Sequence, residues 1–211
     1  MKSETISDRP PAASLRSVPH YDRAAAQAAE LYESTTFERV HEGALDLLPM
    51  PGSAILDVGA GSGRDAAALS RLGYRVTAVE PSSGLRSEAL RRHCDQAIEW
   101  CDDALPHLRT LGSHRFAFIL VSAVWMHLVY GDRPVAMRRL AELLDPGGRL
   151  LISIRQGPAE PERAIAPVSI HEVEAAGTDS GLRVIRQIKT SDTLARADVA
   201  WSSLVFERPR P

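Results

Sequence analysis

Three glycines at alternate positions follow a short apolar run, and this spacing is the strongest chemical signal in the chain. The stretch reads Ile55-Leu56-Asp57-Val58-Gly59-Ala60-Gly61-Ser62-Gly63-Arg64-Asp65. Glycine permits the backbone angles of a tight turn and lets a ligand approach the main chain closely. The amide groups at the start of a following helix would face whatever lies on the loop. The pattern is typical of a nucleotide-binding turn, with an ordinary glycine-rich turn as the alternative.

A carboxylate stands after the next apolar run. Glu80 follows residues 76–79 and lies about 20 positions past Gly59, the separation expected of a ribose-binding acid. Such an acid lies at the carboxyl end of the neighbouring strand, where it can accept hydrogen bonds from two ribose hydroxyl groups. The glycine loop and Glu80 together predict a site for an adenosyl ligand.

The charges in this segment distinguish two nucleotide ligands. The dinucleotide fingerprint requires its third glycine at the position that Arg64 occupies. Asp57, two residues before Gly59, would repel a pyrophosphate but attract the ammonium and sulfonium charges of an adenosyl amino acid. The residues therefore favour an adenosyl amino acid, and a nicotinamide-dependent oxidoreductase is the alternative.

Short apolar runs alternate with helical patterns through the middle of the chain. The runs predict strands at 54–58, 76–79, 97–100, 116–121 and 149–154, with helices at 65–72, 82–93 and 134–144. Continuous runs rich in leucine and β-branched residues indicate strands that are buried on both faces. Their alternation with helices predicts an α/β protein with a doubly wound, mostly parallel sheet.

The two ends of the chain differ from this core. Residues 1–18 are polar and proline-bearing, so we expect a disordered or loosely ordered arm. We expect one domain over 19–211, consisting of a helical lid (19–50), a cofactor-binding core (53–156) and a substrate-side segment (157–211). In that last segment the pattern predicts a short helix at 171–176 and strands at 182–188 and 199–206. Their connection is too short for a crossover helix, which predicts an antiparallel pair.

These motifs resemble those of the class I S-adenosylmethionine-dependent methyltransferases, particularly the small bacterial type 11/12 methyltransferase domains. Motif I of the family corresponds to residues 56–63, and its ribose acid corresponds to Glu80. Residues 118–128 resemble the fourth strand with its following loop, and 144–152 resemble the turn into the fifth strand. The resemblance implies a Rossmann-like seven-stranded sheet with an antiparallel last strand and an N-terminal helical lid.

The resemblance also implies an enzyme that transfers a methyl group from S-adenosyl-L-methionine to a small-molecule acceptor. An RNA or protein acceptor and a non-catalytic adenosyl-binding regulatory module remain alternatives. The residues expected at the cofactor are Tyr21, Asp57, Gly59, Ala60, Gly61, Gly63, Arg64, Asp65, Glu80, Pro81, Ser82, Asp102, Asp103, Ala104, Leu105, Ser122 and Trp125. The family's adenine-binding aspartate falls on Asp102 or Asp103, with a slight preference for Asp103.

Methyl transfer is an in-line displacement, so alignment of the reacting atoms is the main task of the protein. A base is needed only when the acceptor must lose a proton. His127 is the candidate base, because an unperturbed histidine titrates near pH ~6.5; a structural histidine is the alternative. The other candidates for substrate contact are His20, Trp125, Arg155 and Gln156. A solvated strand end is the alternative for the last two, a packing role is the alternative for Trp125, and packing of a helix-start aromatic on the domain is the alternative for Tyr21 with His20.

Composition excludes several other classes of protein. The chain has 211 residues and a formal net charge of −2, which gives no general attraction to nucleic acid or to an anionic membrane. Its apolar runs fall short of the ~20 residues of a membrane-spanning helix. Its two cysteines show no metal-ligand spacing with histidine. We expect a cytoplasmic enzyme without a metal, and the sequence leaves its oligomeric state open.

Overall fold

The computed structural model describes residues 15–194 and 196–211. Most of the expected N-terminal arm, residues 1–14, lies outside the described residues. The chain forms a seven-stranded sheet in the order β3-β2-β1-β4-β5-β7-β6. Its strands are β1 (Ala54–Val58), β2 (Arg75–Val79), β3 (Ile98–Cys101), β4 (Phe116–Val121), β5 (Leu144–Gln156), β6 (Arg183–Ser191) and β7 (Ala200–Glu207).

The strand directions agree with the sequence prediction. Strands β1 to β5 pair in parallel, whereas β7 is antiparallel to both β5 and β6. The helices are α1 (Val18–Arg23), α2 (Ala25–Glu33), α3 (Phe37–Val40), α4 (Arg64–Arg71), α5 (Ser83–Arg92), α6 (Arg133–Leu143) and α7 (Ile170–Asp179). The doubly wound α/β architecture with an antiparallel last strand is therefore confirmed.

The central strands form the core because their side chains are apolar on both faces. Ile55 and Leu56 in β1 and Ile119 in β4 have no exposed surface. Val58 at the end of β1 pairs with Val79 at the end of β2. This register brings the residues after the two strands, Gly59 and Glu80, to the same edge of the sheet, as the sequence predicts.

Two element boundaries differ from the sequence prediction. Strand β5 already begins at Leu144, which pairs with Phe116 of β4, and the pairing then shifts register before it continues at Arg149. The intervening Pro146 and the positive φ of Gly147 (81°) fit an irregularity inside the strand rather than a turn before it. Helix α7 (Ile170–Asp179) is longer than the predicted helix at 171–176 and extends beyond it at both ends.

The N-terminal helices cover the carboxyl edge of the sheet, where α1 and α2 pack against α5. One carboxylate oxygen of Asp22 accepts hydrogen bonds from the Ser82 hydroxyl (2.6 Å) and the Gly84 amide (3.0 Å). A carboxylate at the N-terminus of a helix satisfies amide groups that have no partner within the helix. This contact fixes α1 above the crevice, so Tyr21 faces inward.

No helix within residues 15–194 and 196–211 is long and apolar enough to cross a membrane. Across the same part of the chain, histidine, cysteine and acidic side chains form no group that could hold a metal ion.

Candidate functional site

A cavity of about 410 Å³ opens at the carboxyl edge of β1, β2, β4 and β5. The glycine loop and Glu80 line one part of it, and Arg155 at the end of β5 lines another. The N-terminal helices and the connection between β6 and β7 contribute the remaining walls. A crevice at this edge of a parallel sheet is where such folds bind ligands.

The glycine loop needs glycine for two separate reasons. Gly59, Gly61 and Gly63 all have a positive φ (70°, 57° and 83°), a region that other residues rarely adopt. A Cβ atom on Gly59 would also lie 2.4 Å from Cγ2 of Val124. The amide of Gly59 donates to the carbonyl oxygen of Val79 at 2.7 Å, so the loop is pinned to the end of β2.

Glu80 is buried, and both of its carboxylate oxygens already have backbone partners. Oε2 accepts from the Gly61 amide at 2.8 Å, and Oε1 accepts from the Ser82 amide at 2.8 Å. Burial raises the pKa of Glu80, although these two amides act in the opposite direction. Each oxygen keeps a further acceptor position, so a ribose diol can still bind.

Asp57 is the other buried acid beside the loop, and only 2% of its surface is exposed. Its Oδ2 atom has no hydrogen-bond partner among the described residues. Burial raises the pKa of this carboxyl well above its usual range, and the neighbouring charge of Asp65 adds to the effect. An unpaired buried carboxylate is costly, so the site fits a cationic group such as the ammonium of an adenosyl amino acid.

Asp65 and Arg64 line the cavity but are engaged with each other. Oδ1 of Asp65 accepts from Nε of Arg64 at 2.6 Å, and Oδ2 lies 2.9 Å from Nε2 of His41. Burial alone would raise the pKa of Asp65, but His41 and Arg64 hold it well below its usual range. These contacts fix the first turn of α4 beneath the loop.

The structure separates the two adjacent aspartates. The Asp102 side chain is 70% exposed, pairs with Arg86 at 2.8 Å and lies outside the cavity lining. Asp103 lines the cavity and accepts from the amides of Ala104 (2.8 Å) and Thr110 (2.7 Å). Of the two aspartates, Asp103 is therefore the one that lines the cavity, and its contact with adenine stays a prediction.

Three further predicted residues lie outside the lining. Trp125 has no exposed surface and belongs to the hydrophobic core, so the expectation that it shapes the pocket is corrected. Gln156 comes after Arg155 on β5, and alternate residues of a strand face opposite sides. A Cβ atom on Gly63 would lie 3.1 Å from Ala89 and 3.2 Å from Trp100, so this glycine allows close packing instead.

The remaining predicted residues do line the cavity. They are His20, Tyr21, Asp57, Gly59, Ala60, Gly61, Arg64, Asp65, Glu80, Pro81, Ser82, Asp103, Ala104, Leu105, Ser122, His127 and Arg155. The structure therefore brings the loop, the ribose acid and the residues after β4 together around one space.

Tyr21 and His127 meet in a further part of the cavity lining. The Tyr21 hydroxyl lies 3.3 Å from Nε2 of His127 and accepts a hydrogen bond from Arg163 at 3.1 Å. Burial lowers the pKa of His127 to about 4, and the positive charge of Arg163 acts in the same direction. His127 is thus a neutral imidazole at neutral pH.

The sequence reasoning missed two arginines that line this wall, Arg163 and Arg196. Arg163 donates to Glu160 at 2.8 Å and is the last residue of a short 3₁₀ segment. Arg196 forms an ion pair with Asp192 at 2.7 Å in the connection between β6 and β7. No local pattern marks either residue, because their contacts with the cavity depend on how distant loops return to the sheet.

Comparisons with known proteins agree with this geometry. Residues 56–152 match the family model described as "Methyltransferase domain". The chain is 34% identical over 134 residues to the biotin biosynthesis bifunctional protein BioHC of Cellvibrio japonicus, covering 60% of this chain and 25% of that protein. It is 29% identical over 113 residues to the ubiquinone biosynthesis O-methyltransferase of Azorhizobium caulinodans, covering 52% and 43%. The chain thus spans less than half the length of both relatives.

The fold is similar to that of a solved methyltransferase. The 1,6-didemethyltoxoflavin-N1-methyltransferase of Burkholderia thailandensis, with bound S-adenosylhomocysteine, superposes with a TM-score of 0.74. The two chains are 19% identical, and the match covers 96% of this chain and 93% of the other. At this identity the likeness supports the fold and says nothing about the acceptor.

Proposed function

We propose that this chain, which belongs to the class I S-adenosylmethionine-dependent methyltransferases, transfers a methyl group from S-adenosylmethionine to a small-molecule acceptor. Family membership decides against the nicotinamide-dependent alternative. The family uses S-adenosylmethionine as its methyl donor. The relatives named above act in biotin and ubiquinone biosynthesis, which supports a small metabolite as the acceptor.

The observation that carries the proposal is the unpaired carboxylate oxygen of Asp57. It is buried directly below the glycine loop, where Glu80 also points. A ligand with a ribose diol and a nearby ammonium group would satisfy both acids at once. Asp103, Ala104 and Leu105 line the same space and would hold the adenine edge.

The chain would act chiefly by alignment. When bound, S-adenosylmethionine supplies a methyl group on a positively charged sulfur, which is a good leaving group. Glu80 would hold the ribose of the donor and Asp57 its ammonium group, and Tyr21 of α1 would cover it. Orientation of this kind can supply roughly 7–11 kcal/mol of the barrier.

On this wall, His127 is the candidate for a general base. Because its pKa is lowered to about 4, its imidazole is neutral at pH 7 and can accept a hydrogen bond. The same low pKa makes it a weak proton acceptor. His127 therefore suits orientation of Tyr21 and the acceptor better than removal of a proton.

A thermal-unfolding comparison of S-adenosylhomocysteine with NAD tests this function. At about 100 times its Kd, S-adenosylhomocysteine should raise the free energy of unfolding by about 2.7 kcal/mol, and NAD should have no effect. Stabilisation by NAD alone would contradict the proposal. Binding of S-adenosylhomocysteine without methyl transfer to any acceptor in a broad panel would instead favour a non-catalytic regulatory module.

A further inference from the structure

We propose that the acceptor is an oxyanion, a carboxylate or an acidic hydroxyl group in its ionised form, and that three arginines receive it. We call Arg155, Arg163 and Arg196 the arginine cluster. This inference rests on the proposed function and adds the chemical class of the acceptor.

The charges that line the cavity are unevenly distributed. Four acids, Asp57, Asp65, Glu80 and Asp103, lie on the side of the glycine loop together with Arg64, which pairs with Asp65. The arginine cluster lies with Asp192 on the side formed by the end of β5, the segment after residue 160 and the β6–β7 connection. A cationic donor fits the first side, and an anionic acceptor fits the second.

The arginine cluster is not fully neutralised by its partners. Glu160 shares its single charge between two arginines, with Oε1 2.5 Å from Arg155 and Oε2 2.8 Å from Arg163. Arg196 has its own partner in Asp192. Among the described residues, these three guanidinium groups pair with two carboxylates, which leaves an excess of one formal positive charge in the cluster.

Burial makes that excess charge significant. Only 4% of Arg155 is exposed, and its Nε atom is buried without a hydrogen-bond partner among the described residues. A guanidinium group stays charged in a protein, so it cannot relieve the cost of burial by losing a proton. An anionic group in the cavity would compensate this charge directly.

The histidine on this wall, His127, is a weak base. His127 faces the Tyr21 hydroxyl from α1 and the charges of Arg163 and Glu160 from the segment after β5. Its lowered pKa, about 4, makes it a poor acceptor for the proton of a neutral alcohol or an ammonium group. An amine acceptor would bring a further positive charge to the arginine cluster and would still have to lose its proton.

An oxyanion requires no proton transfer. A lone pair on the acceptor oxygen forms the new carbon–oxygen bond, while the electron pair of the carbon–sulfur bond stays on sulfur. The positive charge of the sulfonium and the negative charge of the acceptor disappear together. The products are a methyl ester or a methyl ether and S-adenosylhomocysteine.

Binding of matched small probes tests the charge of the acceptor site. The protein is saturated with S-adenosylhomocysteine and titrated with benzoate, 4-nitrophenolate, benzamide and benzylamine. At least one anion should bind about tenfold more tightly than benzamide, and benzylamine should not bind. Tighter binding of benzoate identifies the carboxylate class, and tighter binding of 4-nitrophenolate identifies the acidic hydroxyl class. Equal or tighter binding of benzamide or benzylamine, or no binding of any probe, would overturn the inference.

Substitution of one arginine ties the preference to the cluster. Arg163→Gln should weaken binding of the anionic probe about fivefold to tenfold without changing the affinity for benzamide. Arg163→Lys should restore most of the affinity, because it keeps the charge. Arg186→Gln is the matched control, since Arg186 pairs with Asp46 on the surface and lies outside the lining. An equal loss for benzoate and benzamide would indicate a packing effect and contradict the inference.

Two measurements keep the tests independent of folding and of the proposed function. If Arg163→Gln does not fold, Arg196→Gln removes a charge from the other loop of the same wall and should give the same selective loss. Binding of S-adenosylhomocysteine is measured first in every variant. Its absence from the unsubstituted protein would refute the proposed function, whereas its presence without any preference for anions would refute only the oxyanion.

Discussion

The two sides of the cavity differ in charge and in how the chain builds them. The donor side is acidic and uses residues at the end of β1 or directly after β1 and β2, such as Asp57, Gly59 and Glu80. The acceptor side is basic and combines α1 with the segment after β5 and the β6–β7 connection. The donor side is formed by a local sequence motif, whereas the acceptor side is formed by segments that are distant in sequence.

This difference has a consequence for catalysis. A methyl donor with a positively charged sulfur is attracted to the acids, and an oxyanion is attracted to the arginine cluster. In the proposed function, each ligand would therefore have its own place in one continuous space, and the two reacting atoms would meet where the two sides adjoin. Substitutions on one side should affect one ligand and leave the other unchanged.

The largest expected effect is the loss of Glu80. Glu80→Ala should weaken S-adenosylhomocysteine binding about 100-fold, because the ribose loses its charge-assisted acceptors and the amides of Gly61 and Ser82 lose their partner. Calorimetric titration measures this change. Glu99→Ala is the control, since Glu99 is an exposed acid on β3 that accepts from Thr77. Unchanged affinity in Glu80→Ala would remove Glu80 from the donor side.

The second effect is a pH dependence that arises at Asp57. Burial raises the pKa of this carboxyl above the ordinary value of 3.8, and a bound ammonium favours the ionised form. Affinity for S-adenosylhomocysteine should therefore rise with pH as Asp57 loses its proton, by at most about tenfold per pH unit. Calorimetric titration across mildly acidic pH measures the slope.

Substitution of Asp57 sharpens this test. Asp57→Asn should weaken binding and flatten the pH dependence, because no proton is then released. The stability of the free protein should depend on pH in the opposite sense to ligand affinity. Because the pKa of Asp57 is raised in the folded state, the free energy of unfolding falls as pH rises and Asp57 loses its proton. Asp57→Asn should lack this decrease. The same pH slope in Asp57→Asn would assign the titration to another group.

The smallest effect is expected at His127. A general base typically contributes 10²–10⁴-fold to a rate. Because its pKa is lowered to about 4 and an oxyanion needs no base, His127→Ala should lower kcat less than about tenfold and leave S-adenosylhomocysteine binding unchanged. Between pH 5.5 and 8 the rate with an anionic acceptor should show no inflection from His127. A larger loss, with an inflection that the variant abolishes, would make His127 the base.

The sequence predicts the donor side well for a physical reason. A glycine loop between a buried strand and a helix is a local structure, and parallel strands bring their carboxyl ends to one edge. Gly59 and Glu80 therefore lie at the same edge of the sheet once β1 and β2 have paired. The spacing could not separate Asp102 from Asp103, because only the ion pair with Arg86 turns Asp102 outward.

The acceptor side is not encoded in any short pattern. Arg163 donates to the Tyr21 hydroxyl although the two residues are 142 positions apart in the chain, and no sequence motif beside either residue predicts this contact. Trp125 is predicted at the cavity but does not line it. Its position after β4 indicates a pocket residue, but the short 3₁₀ turn there directs the indole into the core.

A crystal structure of the protein with S-adenosylhomocysteine tests the division of the cavity most directly. We expect the ribose hydroxyls to lie within hydrogen-bond distance of Glu80, the ammonium to lie beside Asp57, and the sulfur to face the wall of Tyr21, His127 and Arg163. A ligand whose ribose lies on the arginine cluster, or whose amino acid part points away from Asp57, would contradict this division.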